Sequence, residues 1–161
     1  MTDTINGTLD LGIEQLVHTL NKIPFITTQA SCEGHLADKC FGVYAEPNRK
    51  MLYGGDMIFK VNSDNPKAND FLDELKSLEQ KYHFVDLDEH HCGNPDCSIE
   101  DSMCFVFDQH DLTQIHTLTD EDDLKTSMKK SFQVKPADGI QRIKEYASVW
   151  KEFLEIANKY L

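Results

Sequence analysis

Five short strand-like runs, with brief connections between several of them, constrain the fold of this chain most strongly. The runs cover residues 25–30, 41–46, 56–61, 83–87 and 102–107. Strands joined by short connections pair antiparallel, because a parallel pair needs a long crossover. Amphipathic runs before, between and after them predict helices, in the order α-β-β-β-α-β-β-(α)-α. The sequence therefore predicts one α+β domain over residues 1–161, with a single mixed or mostly antiparallel sheet of about five strands and helices packed on one face.

The expected helix boundaries follow from capping residues and prolines. Asp10 has the side chain of an N-cap for the first helix, which Pro24 ends because the residue before a proline avoids the α region. Further helices are predicted over 66–80 and 138–159, and a short one capped by Thr119. The last long helix carries an apolar stripe that should be buried: Ile140, Ile143, Ala147, Trp150, Phe153 or Leu154, and Ala157.

The negative charge of the chain is concentrated in its middle. The formal net charge is −12, and residues 82–124 contain 12 acidic side chains, five of the seven histidines and no lysine or arginine. This balance argues against nucleic acid or an anionic membrane as a partner, because like charges repel. The acidic block 82–124 is interpreted in one of two ways. It is a solvated face that neutralises the basic C-terminal helix, or it is a site for a cation or a basic protein partner.

The sequence has the features of a cytoplasmic protein. No apolar run approaches the roughly 18–20 residues that cross a bilayer, and no signal peptide is visible at the N-terminus. Five cysteines, an odd number, do not suggest a disulfide framework, so reduced thiols are expected. Cys104 lies in an apolar strand pattern and is expected in the core, and Cys40 has no ligand-like neighbours. Cys32, Cys92 and Cys97 remain as candidates for chemistry.

The segment Ser31–His35 is the most distinctive stretch of the chain. A strand enters a tight turn in which Cys32 and His35 are three residues apart, and Gly34 between them can adopt a left-handed conformation. Thiolate and imidazole are both good zinc ligands. A nearby imidazole can also raise the thiolate fraction of a cysteine, which would make Cys32 a nucleophile and His35 its base. The structural alternative is a small buried residue that ends a strand beside a surface histidine.

A second cluster, His90-His91-Cys92-Gly-Asn-Pro-Asp96-Cys97, would complete a zinc site if it met the first. The combined set would be a mixed thiolate–imidazole site with one alternate ligand: Cys32, His35, Cys92 and Cys97, with His91 as the alternate. Glu33 or a neighbouring acid would orient the imidazole. Such a site requires both loops to lie at the same end of the sheet. Otherwise the second cluster is an acidic surface loop with unrelated cysteines.

The stretch NKIPFITTQASCEGH, which follows a helix and precedes short strands, resembles uncharacterised small α/β proteins with a Ser-Cys-x-Gly-His segment. It is also distantly similar to the wybutosine-synthesis methyltransferase family, which has Ser-Cys-Ser-Gly-Arg in a comparable place. The similarity covers residues 13–61. Ser31, Cys32 and Gly34 match that motif, whereas the third and fifth positions are Glu and His in place of Ser and Arg. The resemblance implies a similar fold and a site at this turn, without carrying over tRNA binding or the use of S-adenosylmethionine.

These observations lead to three functional hypotheses. The first is binding of a transition metal, zinc, or of a small ligand at the turn Ser31–His35. The second is a thiol-dependent enzyme with Cys32 as the nucleophile and His35 as its base. The third is a non-catalytic interaction module whose acidic block 82–124 contacts a basic partner. If the site binds zinc, purified protein would contain stoichiometric zinc. If the protein is a thiol-dependent enzyme, one cysteine would alkylate much faster than the others. If it is an interaction module, it would bind a partner in a salt-sensitive way.

Overall fold

Three helices and twelve short strands make up the part of the chain that a computed structural model describes, residues 4–5, 8–9, 13–40, 43–90, 102–108, 111–112, 115–116 and 131–161. The elements in chain order are β1 (Thr4–Ile5), β2 (Thr8–Leu9), α1 (Glu14–Lys22), β3 (Ile26–Cys32), β4 (His35–Ala37), β5 (Lys39–Cys40), β6 (Val43–Tyr44), β7 (Lys50–Tyr53), β8 (Asp56–Val61), α2 (Ala68–Lys81), β9 (Val85–His90), β10 (Ser102–Phe107), β11 (Ile115–His116), β12 (Ser131–Val134) and α3 (Pro136–Asn158). The predicted α+β class is confirmed.

The central sheet has the strand order β3-β8-β10-β9, and every neighbouring pair in it is antiparallel. Its middle strands, β8 and β10, begin and end where the sequence predicts. Side chains alternate between the two faces of a strand, so one face carries the buried Met57, Phe59 and Phe105. Helices α2 and α3 pack on this face, where Phe71 and Phe153 meet the ring of Phe59 edge to face.

The opposite face of the central sheet, here called the outer face, is formed by the alternate residues of the same strands. Two rows follow from the register across β3, β8, β10 and β9: Cys32–Asp56–Val106–Asp86 and Ala30–Ile58–Cys104–Asp88. Cys104 is half-buried on this face. The prediction that it lies in the core was wrong, because the apolar run around it sends only every second side chain inward.

A side sheet with the order β11-β12-β7-β4 accounts for the difference from the single sheet that the sequence predicts. Of the predicted strand 41–46, Val43–Tyr44 is a described strand, and it pairs with Lys39–Cys40 in a two-stranded ribbon instead of joining the central sheet. The chain turns away from the central sheet at Gly34, so β4 pairs with β7 in the side sheet. Strand β7 in turn pairs with β12, which lies far along the chain. No local pattern could show this long-range pairing.

The helices lie close to their predicted positions, with shifted ends. Helix α1 begins at Glu14 with Ile13 in the N-cap position, and Asp10, the predicted N-cap, lies outside the described residues. Helix α2 begins two residues later than expected, and α3 begins two residues earlier because Pro136 suits the first turn. The short helix capped by Thr119 falls outside the described residues. No helix in the described part of the chain is long and apolar enough to cross a membrane.

The buried face of α3 is rotated relative to the predicted stripe. Its buried residues are Gly139, Arg142, Tyr146, Val149, Trp150, Phe153, Ile156 and Ala157. The expectation that Trp150 is buried is confirmed, since 4% of its surface is exposed. The residues of the predicted stripe that are only half-buried or exposed are Ile140, Ile143, Ala147 and Leu154. The apolar pattern misleads because an arginine and a glycine occupy two of the buried positions.

Two matching sets of polar contacts, here called the Glu–Lys–Tyr clamps, join the antiparallel helices α2 and α3. In each, a glutamate of one helix accepts hydrogen bonds from a lysine and a tyrosine at the C-terminal end of the other: Glu152 from Lys81 and Tyr82, and Glu74 from Lys159 and Tyr160. The lysine Nζ atoms lie 2.5 and 2.6 Å from the carboxylate oxygens. The sequence carries this signal, because Glu-x6-Lys-Tyr occurs in both segments, at 74–82 and 152–160.

The clamps shift the pKa values of their members in opposite directions. The hydrogen bond from its lysine, and then that from its tyrosine, hold the pKa of Glu74 below its usual value. Burial disfavours the charged form of Glu152, but the same kinds of partner outweigh burial and lower its pKa as well. Burial, and then the hydrogen bond to the carboxylate, raise the pKa of Tyr82 and of Tyr160 to about 12. The clamps are therefore strongest at neutral pH, where the carboxylates are charged and the phenols are not.

We expect the double variant Glu74→Gln/Glu152→Gln to be less stable than the wild type at pH 7, and the difference to shrink in acid. Because the folded-state pKa of each carboxyl is lowered, its contribution is present above the unfolded pKa of about 4.5 and is lost as the pH falls through the folded value. The lysines are exposed, so the loss at pH 7 should be about 1 kcal/mol for each clamp. Urea unfolding at pH 7 and at acid pH measures it. Glu155→Gln, an exposed neighbour on α3, is the control, and a difference that is independent of pH would contradict the prediction.

Candidate functional site

Two glycines allow the turn after β3 to pass close to the turn between β7 and β8. Gly34 has a φ of +96°, and a Cβ there would lie 2.6 Å from Cδ2 of Tyr146 and 3.2 Å from the backbone nitrogen of Gly55. A Cβ on Gly55 would lie 2.8 Å from the carbonyl oxygen of Glu33 and 2.9 Å from Cζ2 of Trp150. Only glycine fits at these two positions, because a Cβ would collide with Tyr146 or Trp150 of α3. The turn is therefore packed tightly against α3.

Trp150 anchors the same turn from the side of α3. Its indole N–H donates a hydrogen bond of 3.0 Å to the carbonyl oxygen of Glu33. On the core side the indole packs against Phe105 and Phe107, with ring centroids 5.7 and 4.7 Å apart. The turn is thereby coupled to the C-terminal helix, although the two are far apart in the sequence.

Cys32, the last residue of β3, lies on the outer face beside Asp56, its partner in the register of β8. Both are buried, with 3% and 8% of their surface exposed. A thiol and a carboxyl, both of which are zinc ligands when ionised, are thus neighbours at this end of the sheet. His35 is half-buried and begins β4, opposite Tyr53. The predicted thiol and imidazole therefore belong to strands of two different sheets.

The other members of the predicted zinc site, Cys92, Cys97 and the alternate His91, lie outside the described residues. Among the residues that are described, no group of three or more His, Cys, Asp or Glu side chains is placed to hold a metal ion. A zinc site at Cys32 and His35 thus needs ligands from the segment 91–101, and it stays a prediction.

The burial of Cys32 also bears on the hypothesis of thiol chemistry. A nucleophile must be reached by its substrate, and a side chain with 3% of its surface exposed is reached only when neighbouring atoms move. The assignment of Cys32 as a nucleophile with His35 as its base stays a prediction with this additional requirement.

A cleft of 360 Å³ opens on the other side of the turn, between α1 and α3. Its lining residues come from α1, from the turn and from α3: Gln15, Leu16, Glu33, Gly34, Ile143, Tyr146, Ala147, Trp150, Lys151 and Leu154. The surface of the cleft is mainly apolar. Three of its lining residues, Ile143, Ala147 and Leu154, are those that the sequence pattern assigned to the core. The structure thus places a concave apolar surface at the turn that the sequence singled out.

A buried arginine on α3 is a further feature, and the sequence pattern did not indicate it. Arg142 is 2% exposed, and both Nη atoms donate to the carboxylate of Asp111, Nη1 at 3.1 Å. Its Nε donates to Glu145 at 3.3 Å, and its Cζ lies 4.5 Å from the centre of the Phe84 ring. His83 joins the network with Nε2 2.7 Å from Asp111 Oδ2. The apolar pattern carries no signal for this arginine, because it counts arginine as polar and assigns Ile143 to the buried face instead.

This network neutralises one carboxylate of the acidic block 82–124. Burial disfavours the charge on Asp111, but the guanidinium of Arg142, and then His83, outweigh it and hold the pKa of Asp111 below its usual value. Despite its own burial, Arg142 has a raised pKa because of the same contact. One acid of the block is thus paired with the C-terminal helix, as the first interpretation of the block expects. Asp86 and Asp88 are exposed on β9, and binding of a basic partner there stays a prediction.

Comparisons with known proteins bear on the fold. No protein-family model matches the chain, and a search of curated proteins gives no match either. The structure of PH1069 protein from Pyrococcus horikoshii is similar with a TM-score of 0.51 and 11% identity, covering 94% of this chain and 87% of that one. A hypothetical protein from Aeropyrum pernix is similar with a TM-score of 0.38 and 11% identity, covering 94% of both chains. The first likeness shows a shared fold and says nothing about activity.

Proposed function

We propose that the cleft between α1 and α3 binds a small organic molecule with an apolar body, at the turn where the sequence predicts a small-ligand site. The observation that supports this is the second apolar row of α3, Ile143, Ala147 and Leu154, which lines the cleft at the edge of the core and stays partly exposed. Apolar surface that faces water is unfavourable, and a ligand that covers it gains the corresponding free energy.

The size of the cleft and the rigidity of its walls also favour a ligand. Its 360 Å³ lies at the lower end of the range for small-molecule sites, about 300–1,000 Å³. Water in the cleft beside Ile143 and Ala147 finds few hydrogen-bonding partners. The turn at its floor is fixed by the Trp150–Glu33 hydrogen bond. A ligand therefore displaces weakly held water without ordering a loop.

Replacing Ala147 with phenylalanine is expected to abolish binding of a small apolar probe without unfolding the protein. Ala147 is exposed and lines the cleft, so the added ring occupies the volume of the ligand and leaves the core unchanged. The probe is 3-phenylpropan-1-ol, which is uncharged and has about ten non-hydrogen atoms. At roughly 0.3–0.4 kcal/mol per atom it should bind the wild type with a Kd of about 1–6 mM. Amide shifts of residues 33–34 and 143–154 in NMR spectra measure the binding.

Ser148→Phe is the matched control for this experiment. Ser148 is the next residue on the same helix, is exposed and does not line the cleft. The variant adds the same ring with little change in helix propensity, because Ser and Phe have similar values, so it should bind the probe as the wild type does. Equal binding by both variants, or a probe that leaves the amides of the cleft unshifted in the wild type, would contradict the proposal.

A second candidate function is a zinc site at the end of β3, which the juxtaposition of Cys32 and Asp56 on the outer face favours. Thiolate and carboxylate oxygen both ligate zinc, and a buried site excludes competing water. His35, Cys92 and Cys97 are the predicted further ligands. Because the metal is held where it binds, this function does not need the substrate access that thiol chemistry at Cys32 would require.

The zinc hypothesis predicts stoichiometric metal in the purified wild type and its loss from Cys32→Ser. Loss of a ligand set that joins two segments should also speed amide exchange across residues 89–101. Cys104→Ser, one row away on the same face, is the control and should keep its metal. A wild type without metal would contradict the hypothesis. The rate at which Cys32 is alkylated, compared with the other cysteines, then tests the thiol hypothesis.

A further inference from the structure

We infer that the ligand of the cleft is a monocarboxylate with an apolar body, held at its carboxylate by Lys151 of α3. This inference rests on the proposed small-molecule function and specifies its ligand class. It follows from which polar side chains line the cleft, where they lie on the two helices and which of them already have partners.

Two hydrogen-bond donors, Lys151 on α3 and Gln15 on α1, line the cleft from its opposite walls. Both residues are exposed. Among the described residues, neither side chain forms a hydrogen bond or an ion pair. Lys81 and Lys159, by contrast, are held by glutamates in the Glu–Lys–Tyr clamps. An ammonium and an amide that are open to a ligand suit a carboxylate, which accepts from both.

The apolar residues of α3 lie on both sides of this ammonium along the helix. Ala147 precedes Lys151 by four residues and Leu154 follows it by three, so all three share one face. Leu16 of α1, which is 2% exposed, belongs to the opposite wall. A molecule whose ring or alkyl chain covers these residues can therefore place its carboxylate at Lys151 without leaving the apolar surface.

The charge near the cleft limits the ligand to one negative group. Glu33 also lines the cleft, and the whole chain has a formal net charge of −12. A second carboxylate or a phosphate would therefore be repelled from the floor of the cleft. An amine is the competing class, since it would be attracted by Glu33 and repelled by Lys151. The experiment must distinguish these two.

Three probes with the same phenylpropyl body make that distinction: 3-phenylpropanoate, 3-phenylpropan-1-ol and 3-phenylpropan-1-amine. The fluorescence of Trp150, the single tryptophan of the chain and a lining residue of the cleft, reports binding of each. At low salt we expect the carboxylate to bind about two- to fivefold more tightly than the alcohol, and the amine more weakly than the alcohol. The advantage of the carboxylate should decrease in high salt, because Lys151 is exposed to solvent.

Lys151→Met removes the charge and keeps most of the apolar stem. It should lower the affinity of the carboxylate to that of the alcohol and leave the affinity of the alcohol unchanged. Lys144→Met is the matched control, because Lys144 is an exposed lysine of the same helix that does not line the cleft. It should leave all three affinities as they are in the wild type.

The outcomes separate this inference from the function on which it rests. Equal affinity for the three probes, tightest binding of the amine, or no effect of Lys151→Met overturns the carboxylate inference and leaves the small-molecule site standing. Binding of none of the three probes overturns both.

Discussion

Gly34→Ala is expected to destabilise the protein by about 2–5 kcal/mol. A residue with a side chain at the φ of +96° of Gly34 has a conformational cost of about 1–2 kcal/mol. Its Cβ would also lie 2.6 Å from the ring of Tyr146. That ring is buried and packs against Phe84 and Phe107, so moving it adds the cost of overpacking, about 1–3 kcal/mol. Urea unfolding followed by circular dichroism measures the sum.

Asn48→Ala separates the conformational cost of a positive φ from the cost of overpacking against Tyr146. Asn48 is the described non-glycine residue with a positive φ, 66°, and it is exposed. Alanine at that position meets the backbone cost without a collision in the core, so we expect a loss of about 1 kcal/mol. If Gly34→Ala lowers the free energy of unfolding no more than Asn48→Ala does, the close contact between the turn and Tyr146 does not contribute to stability. The turn would then not be fixed by its packing against Tyr146.

The sequence predicted those elements whose pattern depends on local chemistry. The bounds of β8 and β10 follow from alternation in strands of which one face is buried, and α1 ends before Pro24 as predicted. The division into two sheets could not be predicted, because β7 pairs with β12, about 80 residues further along the chain. Local patterns carry no information about which distant strand a segment meets.

The buried face of α3 shows a different limit of pattern reading. Arg142 occupies a core position because Asp111 and Phe84 satisfy its charge and cover its plane. A hydrophobicity scale that counts arginine as polar therefore predicts a buried face that is rotated around the axis of α3. It also assigns Ile143 to the core. The same error hides the cleft, since three residues that line it, Ile143, Ala147 and Leu154, were counted as core. Once the arginine is placed inside, the remaining apolar row lies at the edge of the core, where Ile143 and Leu154 are half-buried and Ala147 is exposed.

The assignment of a functional site to the turn Ser31–His35 stays a prediction. The sequence does single out this turn, and its Gly34 has the positive φ, +96°, that a glycine at this position allows. Its contacts with Trp150 and with the glycine at position 55 could not be predicted, since they join segments that are far apart in the sequence. The resemblance of residues 13–61 to the wybutosine-synthesis methyltransferase family stays a prediction, because a likeness in fold at 11% identity does not test it.

Trp150→Ala is expected to cost about 3–5 kcal/mol of the free energy of unfolding, a large share of the roughly 5–15 kcal/mol that stabilises a typical domain. The indole is 4% exposed and packs against Phe105 and Phe107. Its removal leaves a cavity under the turn and deprives the carbonyl of Glu33 of its donor. Urea unfolding must be followed by circular dichroism, because the variant has lost the single tryptophan.

Trp150→Phe shows how much of that loss is due to the hydrogen bond and how much to packing. Phenylalanine keeps most of the contact with Phe105 and lacks the indole N–H, so we expect a loss of about 1–2 kcal/mol. Amide exchange at Gly34 and Gly55 should rise in both variants, and more in Trp150→Ala, because Cζ2 of the indole closes the space above Gly55. A loss below about 1 kcal/mol for Trp150→Ala, with unchanged exchange at both glycines, would mean that the turn holds its position without the helix. The turn would then keep its position in the cleft without its contacts to α3, and the preformed shape of the cleft would need another cause.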